Sequence, residues 1–280
     1  MTPRWRFLHT GYADGPYNMA LDEALLGTIQ SQGGPITVRA YGWQPAVISV
    51  GYGQNVLRDI DIDTCHKGGM DIVRRLTGGR AVLHDEEVTY SIVAPEGNPM
   101  IGGRIHETYN RIGRALVCGL RHLGIRAELH RVSSASGRNP SCFSSTGRYE
   151  VVVGGMKLIG SAQRRIGGAI LQHGSLLTGP GYKGLTKFLR RDVSPAPAES
   201  STNHVTTLSE ILGYTPSFDR IADSLRLGFE EVFDCQLIEG TLTEEEQTVT
   251  QKLIEERYER DEWNQRLSVS QSKKGTIKSH

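Results

Sequence analysis

Hydrophobic and polar positions along the chain follow two alternating periods. Residues 4–10, Arg-Trp-Arg-Phe-Leu-His-Thr, read as a first strand. Leu21, Ala24, Leu25, Thr28 and Ile29 then recur at helical spacing. Asn18 is expected to cap this helix, with Asp22 and Glu23 in its first turns, where the helix dipole favours carboxylates. Gly33-Gly34-Pro35 should end it. Strands follow at Thr37–Tyr41 and Val47–Val50, joined by Gly42-Trp43-Gln44-Pro45, with a short helix over 59–69. Next comes Arg74-Arg75-Leu76-Thr77-Gly78-Gly79-Arg80-Ala81-Val82-Leu83-His84-Asp85. It lies between the apolar runs Met70–Val73 and Val88–Ala94, and the pattern predicts strand, glycine turn, strand, short turn, strand.

The second half repeats this logic. Ile105, Tyr109, Ile112, Leu116, Leu120 and Leu123 mark a long amphipathic helix, with Gly124 placed at its C-cap. A strand is expected at Ala127–Val132. A hairpin turning at Gly154-Gly155 should join residues 149–153 to 156–162, with Val152 facing Lys157 and Val153 facing Met156. Ala169–Leu177 reads as one more strand. Phe218, Ile221, Leu225, Phe229 and Val232 predict a later helix. Thr207-x-x-Glu210 and Thr243-x-x-Glu246 are capping boxes. Residues 95–103, 133–147 and 192–206 read as loops, and the polar end from 267 as a disordered tail. The sum is an α+β fold with no repeat and no obvious second domain.

Composition narrows the classes. The chain has 280 residues, 32 basic and 31 acidic, so it lacks the basic excess of a nucleic-acid binder. No run has the length of a bilayer span and the N-terminus has no signal-peptide core, so a cytoplasmic protein without membrane contact is expected. The four cysteines contain no CxxC pair, which argues against a metal site or a disulfide framework. No GxxxxGK[ST] motif is present.

Candidate chemistry gathers in two places. Arg74, Arg75, Thr77, Gly78, Gly79, Arg80, His84 and Asp85 put charge, bare backbone and an imidazole in one short stretch. That is either a ligand cradle or a hairpin with solvated charges. Cys142 sits in a polar loop, an unusual setting for a cysteine, and is the best nucleophile candidate. Lys157 is a plausible cation to activate it, or mere protection of a sheet edge. Gly160-Ser161-Ala162-Gln163 and Gln172-His173-Gly174 suit a pocket wall and a tight sheet crossing equally. Cys65-His66 is discounted as a dyad, because adjacent side chains diverge; Cys118 and Cys235 read as structural.

These motifs together resemble the superfamily of lipoate–protein ligases, biotin ligases and octanoyltransferases. The resemblance is carried by Arg74-Arg75-x-Thr-Gly-Gly-x-Ala-Val-x-His84-Asp85, Asn18-Met-Ala-Leu-Asp-Glu-Ala24, Arg39-Ala-Tyr-Gly-Trp-Gln-Pro-Ala46, Ser49-Val-Gly-Tyr52, and Lys157-Leu-Ile-Gly-Ser-Ala-Gln163 with Gln172-His-Gly174. It covers roughly residues 4–265 and is closest to the cysteine-dependent octanoyltransferases of the Gram-positive type. Cys142 stands where that branch has its nucleophile, and Arg80 replaces the third glycine usual in the ATP-dependent ligases.

The resemblance implies the biotin/lipoate protein ligase catalytic-domain fold, a mixed β-sheet flanked by helices. It implies a catalytic domain over 1–240, a helical extension over 241–266 and the tail over 267–280. It further implies octanoyl transfer from octanoyl-acyl carrier protein to a lysine of the glycine-cleavage H protein or another lipoyl domain, through a Cys142 acyl-enzyme assisted by Lys157. The backbone of Thr77–Arg80 would hold the acyl carbonyl. Arg74, Arg75, His84 and Asp85 would rigidify that loop, and Gly160–Ala162 would leave room for the acyl chain. No cofactor and no metal are expected, and a monomer is. The alternatives are an ATP-dependent lipoate–protein ligase and an amidotransferase between carrier proteins.

Overall fold

The structure is a computed structural model and describes residues 1–131, 149–190 and 204–266. Cys142 with its whole loop, most of the 192–206 loop and the tail from 267 lie outside the described residues.

Among the described residues the strands form two sheets. β1 (Arg4–Ala13), β2 (Thr37–Trp43), β6 (Glu87–Pro95), β7 (Glu128–Arg131), β8 (Tyr149–Val153), β9 (Met156–Ile166), β10 (Ala169–Leu177) and β11 (Gln236–Glu239) make an eight-stranded sheet in the order β11-β1-β2-β6-β10-β9-β8-β7. It is mixed: β1 runs parallel to β2 and β11, and the remaining pairs are antiparallel. β3 (Val47–Val50), β4 (Asp71–Arg74) and β5 (Val82–His84) form a small second sheet with β3 in the middle.

Helices cover the large sheet on both faces. On one side α4 (Ile105–His122) and α6 (Phe218–Phe233) bury Ile112, Leu116, Leu120, Ile221, Leu225 and Phe229 against Val38, Ile92 and Ile170. On the other, α1 (Gly15–Gln32) buries Leu21, Leu25 and Leu26 against Leu8, Val93 and Leu171. Two covered faces explain why β2 and β10 are buried at every position and lack polar alternation. Short helices α2 (Val56–Asp59) and α3 (Ile62–Lys67) replace the one expected over 59–69, each opened by its own side-chain cap, Asn55 and Asp61. Both predicted capping boxes form, at the start of α5 (Leu208–Leu212) and of α7 (Glu244–Leu253). No helix of the described residues is long and apolar enough to cross a membrane.

Two local expectations are corrected. α1 starts before Asn18: the Asp14 side chain accepts from Tyr17 N, and Pro16 stands in the first turn, where its missing N–H costs nothing. Asn18 and Asp22 are therefore interior and buried, and Asp22 is held by side chains rather than by the helix dipole. The second correction concerns the glycine stretch, which is not a hairpin. β4 and β5 both pair with β3 and not with each other, because β3 lies between them. The following strand, β6, belongs to the large sheet. The stretch thus bridges the two sheets. By contrast, the hairpin of β8 and β9 has the expected register, Val152 opposite Lys157 and Val153 opposite Met156.

The C-terminal segment closes onto the same region. After α7 come a π turn (Ile254–Tyr258) and α8 (Asp261–Asn264). Glu246 of α7 is buried against Arg6 of β1. Arg74 donates to the carbonyls of Trp263, Asn264 and Arg266.

Candidate active site

The glycine turn is held from inside. Arg75 is buried, and its guanidinium donates to the carbonyls of Gly78 at 2.9 Å and Arg80 at 2.7 Å, drawing the two sides of the turn together. It also reaches Ser49 Oγ at 2.9 Å and the Ser49 carbonyl at 3.1 Å. Arg74 faces away, into the protein, and donates to the carbonyls of Gly51, Tyr52 and Gln54. Burial, then Arg266 and Arg75, push its guanidinium down to about 10. Gly79 needs its bare backbone: φ is +101°, and a Cβ on Gly51 would stand 2.1 Å from the Gly79 carbonyl oxygen. The close approach made possible here is between the turn and the end of β3.

A pocket opens between the two sheets. It is lined by Ser49, Arg75, Val82 and His84 on one side and by Thr89, Gly160, Ser161, Ala162, His173, Gly174 and Ser175 on the other. Gly174 also serves the crossing, since a Cβ there would stand 2.5 Å from the Gly160 carbonyl and 2.7 Å from the Tyr90 ring. Pocket wall and tight crossing therefore coincide on β9 and β10.

Two buried hydroxyl–imidazole–carboxylate chains flank this pocket. In the first, Thr77 Oγ1 and His173 Nε2 are 2.6 Å apart, and His173 Nδ1 lies 3.6 Å from Asp22 Oδ2. Asp22 also accepts from Arg39 at 2.9 Å, Ser91 at 2.9 Å and Tyr41 at 3.0 Å. Burial works to raise the Asp22 carboxyl, but His173, Arg39 and Ser91 outweigh it and hold it below the usual carboxylate range. Burial pushes the His173 imidazole down, against the pull of Asp22. In the second chain, Ser49 Oγ and His84 Nε2 are 2.7 Å apart, and His84 Nδ1 lies 2.8 Å from Glu87 Oε1. Trp43 stacks on the His84 ring at 3.9 Å and donates to Thr89 Oγ1, which donates to Glu87 Oε1.

The other expected residues are placed as follows. Gln163 lies outside the pocket lining and donates to Gln172, which donates to Tyr90. Asp85 lines a separate cleft with Tyr12, Glu87 and Phe218. Arg80 supplies its carbonyl to Arg75. Lys157 is buried inside the sheet, with Nζ donating to Glu150 Oε1 at 2.7 Å. Its backbone bonds to residues 204 and 206 on one side while β8 lies on the other, so it does not protect an edge.

The three described cysteines are buried thiols. Burial, then Asp61, pushes Cys65 up to about 11, and burial, then Glu230 and Asp234, pushes Cys235 up to about 12. Burial raises Cys118 as well. A thiol so raised is a poor source of thiolate at neutral pH. Cys118 approaches His122 and Glu231 closely enough to suggest metal ligands, but the Arg121 guanidinium already lies among them, 2.6 Å from Glu231.

Sequence reasoning missed Ser49, Val82, Thr89 and Ser175 in the lining, and Asp22 and Glu87 behind the imidazoles. Glu87 had one signal, its place in the tetrad His84-Asp85-Glu86-Glu87. Asp22 had only its place in the stretch Asn18–Ala24, since a helical carboxylate normally faces solvent.

The chain is similar to known proteins over most of its length. Residues 14–230 match the lipoyl protein ligase A/B catalytic domain. The octanoyltransferase LipM of Kyrpidia tusciae is 40% identical over 271 residues, covering 94% of this chain and 98% of that protein. The octanoyltransferase LipM of Bacillus subtilis is 36% identical over 275 residues, covering 93% and 97%. Among solved structures, lipoate-protein ligase A bound with ATP matches with a TM-score of 0.77 at 26% identity, over 95% of this chain and 99% of that one. The bi-partite lipoate protein ligase of Thermoplasma acidophilum, described together with its E2 lipoyl domain, matches with a TM-score of 0.76 at 25% identity, over 94% and 96%.

Proposed function

The chain belongs to the lipoyl protein ligase A/B catalytic-domain family, and on that premise we propose that it is an octanoyltransferase of lipoate biosynthesis. The observation that carries this reading is the end-to-end match to relatives named octanoyltransferase. The partners are an acyl donor, octanoyl-acyl carrier protein, and a lipoyl-domain acceptor such as the glycine-cleavage H protein. Cys142 attacks the thioester carbonyl and leaves an octanoyl-enzyme, and the acceptor lysine then displaces the sulfur. Splitting the transfer into two steps is what covalent catalysis achieves. A thioester is already activated, so no nucleotide is needed.

Side chains of the described residues support the assignment of roles. With the other three thiols raised by burial, Cys142 is the cysteine left for the nucleophile. Lys157, whose Nζ donates to Glu150 from within the sheet, is the residue assigned to supply positive charge to that thiol. Arg75 keeps the Thr77–Arg80 turn in shape for the acyl carbonyl. The small residues Gly160–Ala162 form the wall along which the chain lies. Arg74, His84, Asp85, Gln163, His173 and Gly174 are taken as supports of this pocket.

The test is direct. Incubation with octanoyl-acyl carrier protein in the absence of ATP should add one octanoyl group by intact mass, and Cys142→Ala should abolish it. No adduct, together with ATP-dependent lipoylation of the H protein, would sink this reading and favour a ligase, the activity named for the two solved relatives.

A further inference from the structure

A second opening, separate from the acyl pocket, lies where the turn between β5 and β6 meets the end of β10. Its volume is about 80 Å³, while a water needs only about 10–15 Å³. Asp85, Glu86 and Glu87 contribute to its lining, and no lysine or arginine does. The chain makes room for these carboxyl groups. Glu86 takes a left-handed φ of +50°, which a residue with a side chain seldom adopts. A Cβ on Gly179 would stand 2.7 Å from the Glu86 carboxyl carbon, and one on Gly181 would stand 2.7 Å from Asp85 Oδ2. Glu86 Oε2 accepts from Gly181 N at 2.7 Å. Glu87 is only 5% exposed. Its Oε1 is taken by His84 and Thr89. Oε2 has no hydrogen-bond partner among the described residues and is the oxygen left for the cleft.

The facing walls are aromatic. Trp43 lines the cleft, and Tyr12 and Phe218 stand against each other with ring centroids 5.2 Å apart. Tyr12 is 57% exposed and marks the mouth, as buried Glu87 marks the floor. The three carboxyl groups do not converge as metal ligands do. Among the described residues only Cys118, His122 and Glu231 bring three ligand atoms within 4.8 Å of one another. The cleft instead suits a cation that brings its own hydrogens and an apolar stem. A lysine ammonium has three donors for separate carboxyl oxygens, and its charge and stem both suit aromatic walls. Trp43 lines this cleft and His84 lines the acyl pocket, and their rings stack at 3.9 Å between the two. An amine held here is therefore distinct from one that is acylated.

We propose that this cleft seats a lysine side chain of a protein partner, ammonium first. Glu86 draws it in at the rim, Glu87 Oε2 accepts it at the floor, and the Tyr12 and Phe218 rings lie along its stem. A buried acceptor below an exposed mouth suits a cation that enters on a tether, which is how a protein presents lysine. The proposal does not depend on the octanoyltransferase reading.

The Trp43 indole N–H, bonded to Thr89, is the reporter. Isotope-labelled protein is titrated with Nα-acetyl-lysine methylamide and followed by NMR. The Trp43 signal is assigned with Trp43→Phe and compared with those of Trp5 and Trp263. A saturable shift confined to Trp43 is expected, with none from the uncharged norleucine analogue. Glu87→Gln should weaken binding about tenfold or more, and Glu86→Gln and Tyr12→Ala about threefold each. Glu86 and Tyr12 are exposed, so these two variants test the cleft even if Glu87→Gln fails to fold. Absence of a saturable Trp43 shift overturns the proposal. So does an equal shift from the norleucine analogue, or affinity unchanged in every folded variant. Tighter binding of cadaverine than of the lysine derivative overturns it in favour of a free diamine, and a magnesium-induced shift that blocks the amine overturns it in favour of a metal ion.

Discussion

The two imidazole chains beside the pocket are built alike and compensated differently. Thr77–His173–Asp22 ends on a carboxylate that Arg39, Tyr41 and Ser91 already saturate. Its negative charge is balanced by Arg39 together with His173. Ser49–His84–Glu87 ends on a carboxylate whose Oε1 meets His84 and Thr89 and whose Oε2 has no hydrogen-bond partner among the described residues. A buried charge is costly unless it is paired. The first chain is therefore complete as it stands and makes a rigid post between α1, β2, β6 and β10. The second ends on a buried carboxylate with no arginine or lysine paired to it among the described residues. One pocket thus has two walls made of the same residue types, one with an arginine on its carboxylate and one without among the described residues.

The contrast can be broken by removing the carboxylates. Asp22→Asn leaves Arg39, fully buried, without its counter-charge, and should cost about 3–5 kcal/mol in urea unfolding. Glu87→Gln strands no arginine or lysine, and should cost about 1–3 kcal/mol through weakened hydrogen bonds. Equal losses would mean that the two chains are not compensated differently. Acid titration sharpens the picture for His173. Burial holds its folded pKa below the ordinary 6.5, so below that pH the unfolded chain binds a proton the folded chain refuses. Stability should fall as pH drops from about 6.5 towards the folded value, by at most ~1.4 kcal/mol per pH unit. His173→Gln should flatten that limb in a series of unfolding curves. The smallest effect is expected for Trp43→Phe, which keeps a ring over His84 but loses the donor to Thr89. A loss of about 1 kcal/mol is expected, with acylation unchanged.

Much of the fold was legible because its signals are local. Capping boxes at Thr207 and Thr243 need only four neighbouring residues to agree, and both form. The Gly154-Gly155 turn fixes which residues face each other across the hairpin, so Val152 and Lys157 were paired correctly. The helix at 15–32 was found, but its start was not. Asn18 is as good a cap in isolation as Asp14, and only its burial against Arg39 decides between them. The glycine stretch was recognised as a site candidate, with a hairpin as the alternative reading, and it is not a hairpin. Chain continuity suggested that β4 and β5 pair, while β3, twenty residues earlier, inserts between them. Arg74 and Arg75 stood side by side as two similar charges. Arg74 ends β4 and Arg75 follows it, and their side chains go different ways, one towards the C-terminal carbonyls and one towards the turn.

The sequence by itself determined the element types, the family, and the residues that could carry chemistry. Those are matters of period, cap and motif, which neighbours along the chain express. Tertiary structure alone decided which strand separates β4 from β5, which carboxylate stands behind which imidazole, and which of those carboxylates has an arginine. The partners in those cases lie up to about 150 positions apart, as Asp22 and His173 do. Burial from both faces of the sheet brings them together, and no short-range pattern records it.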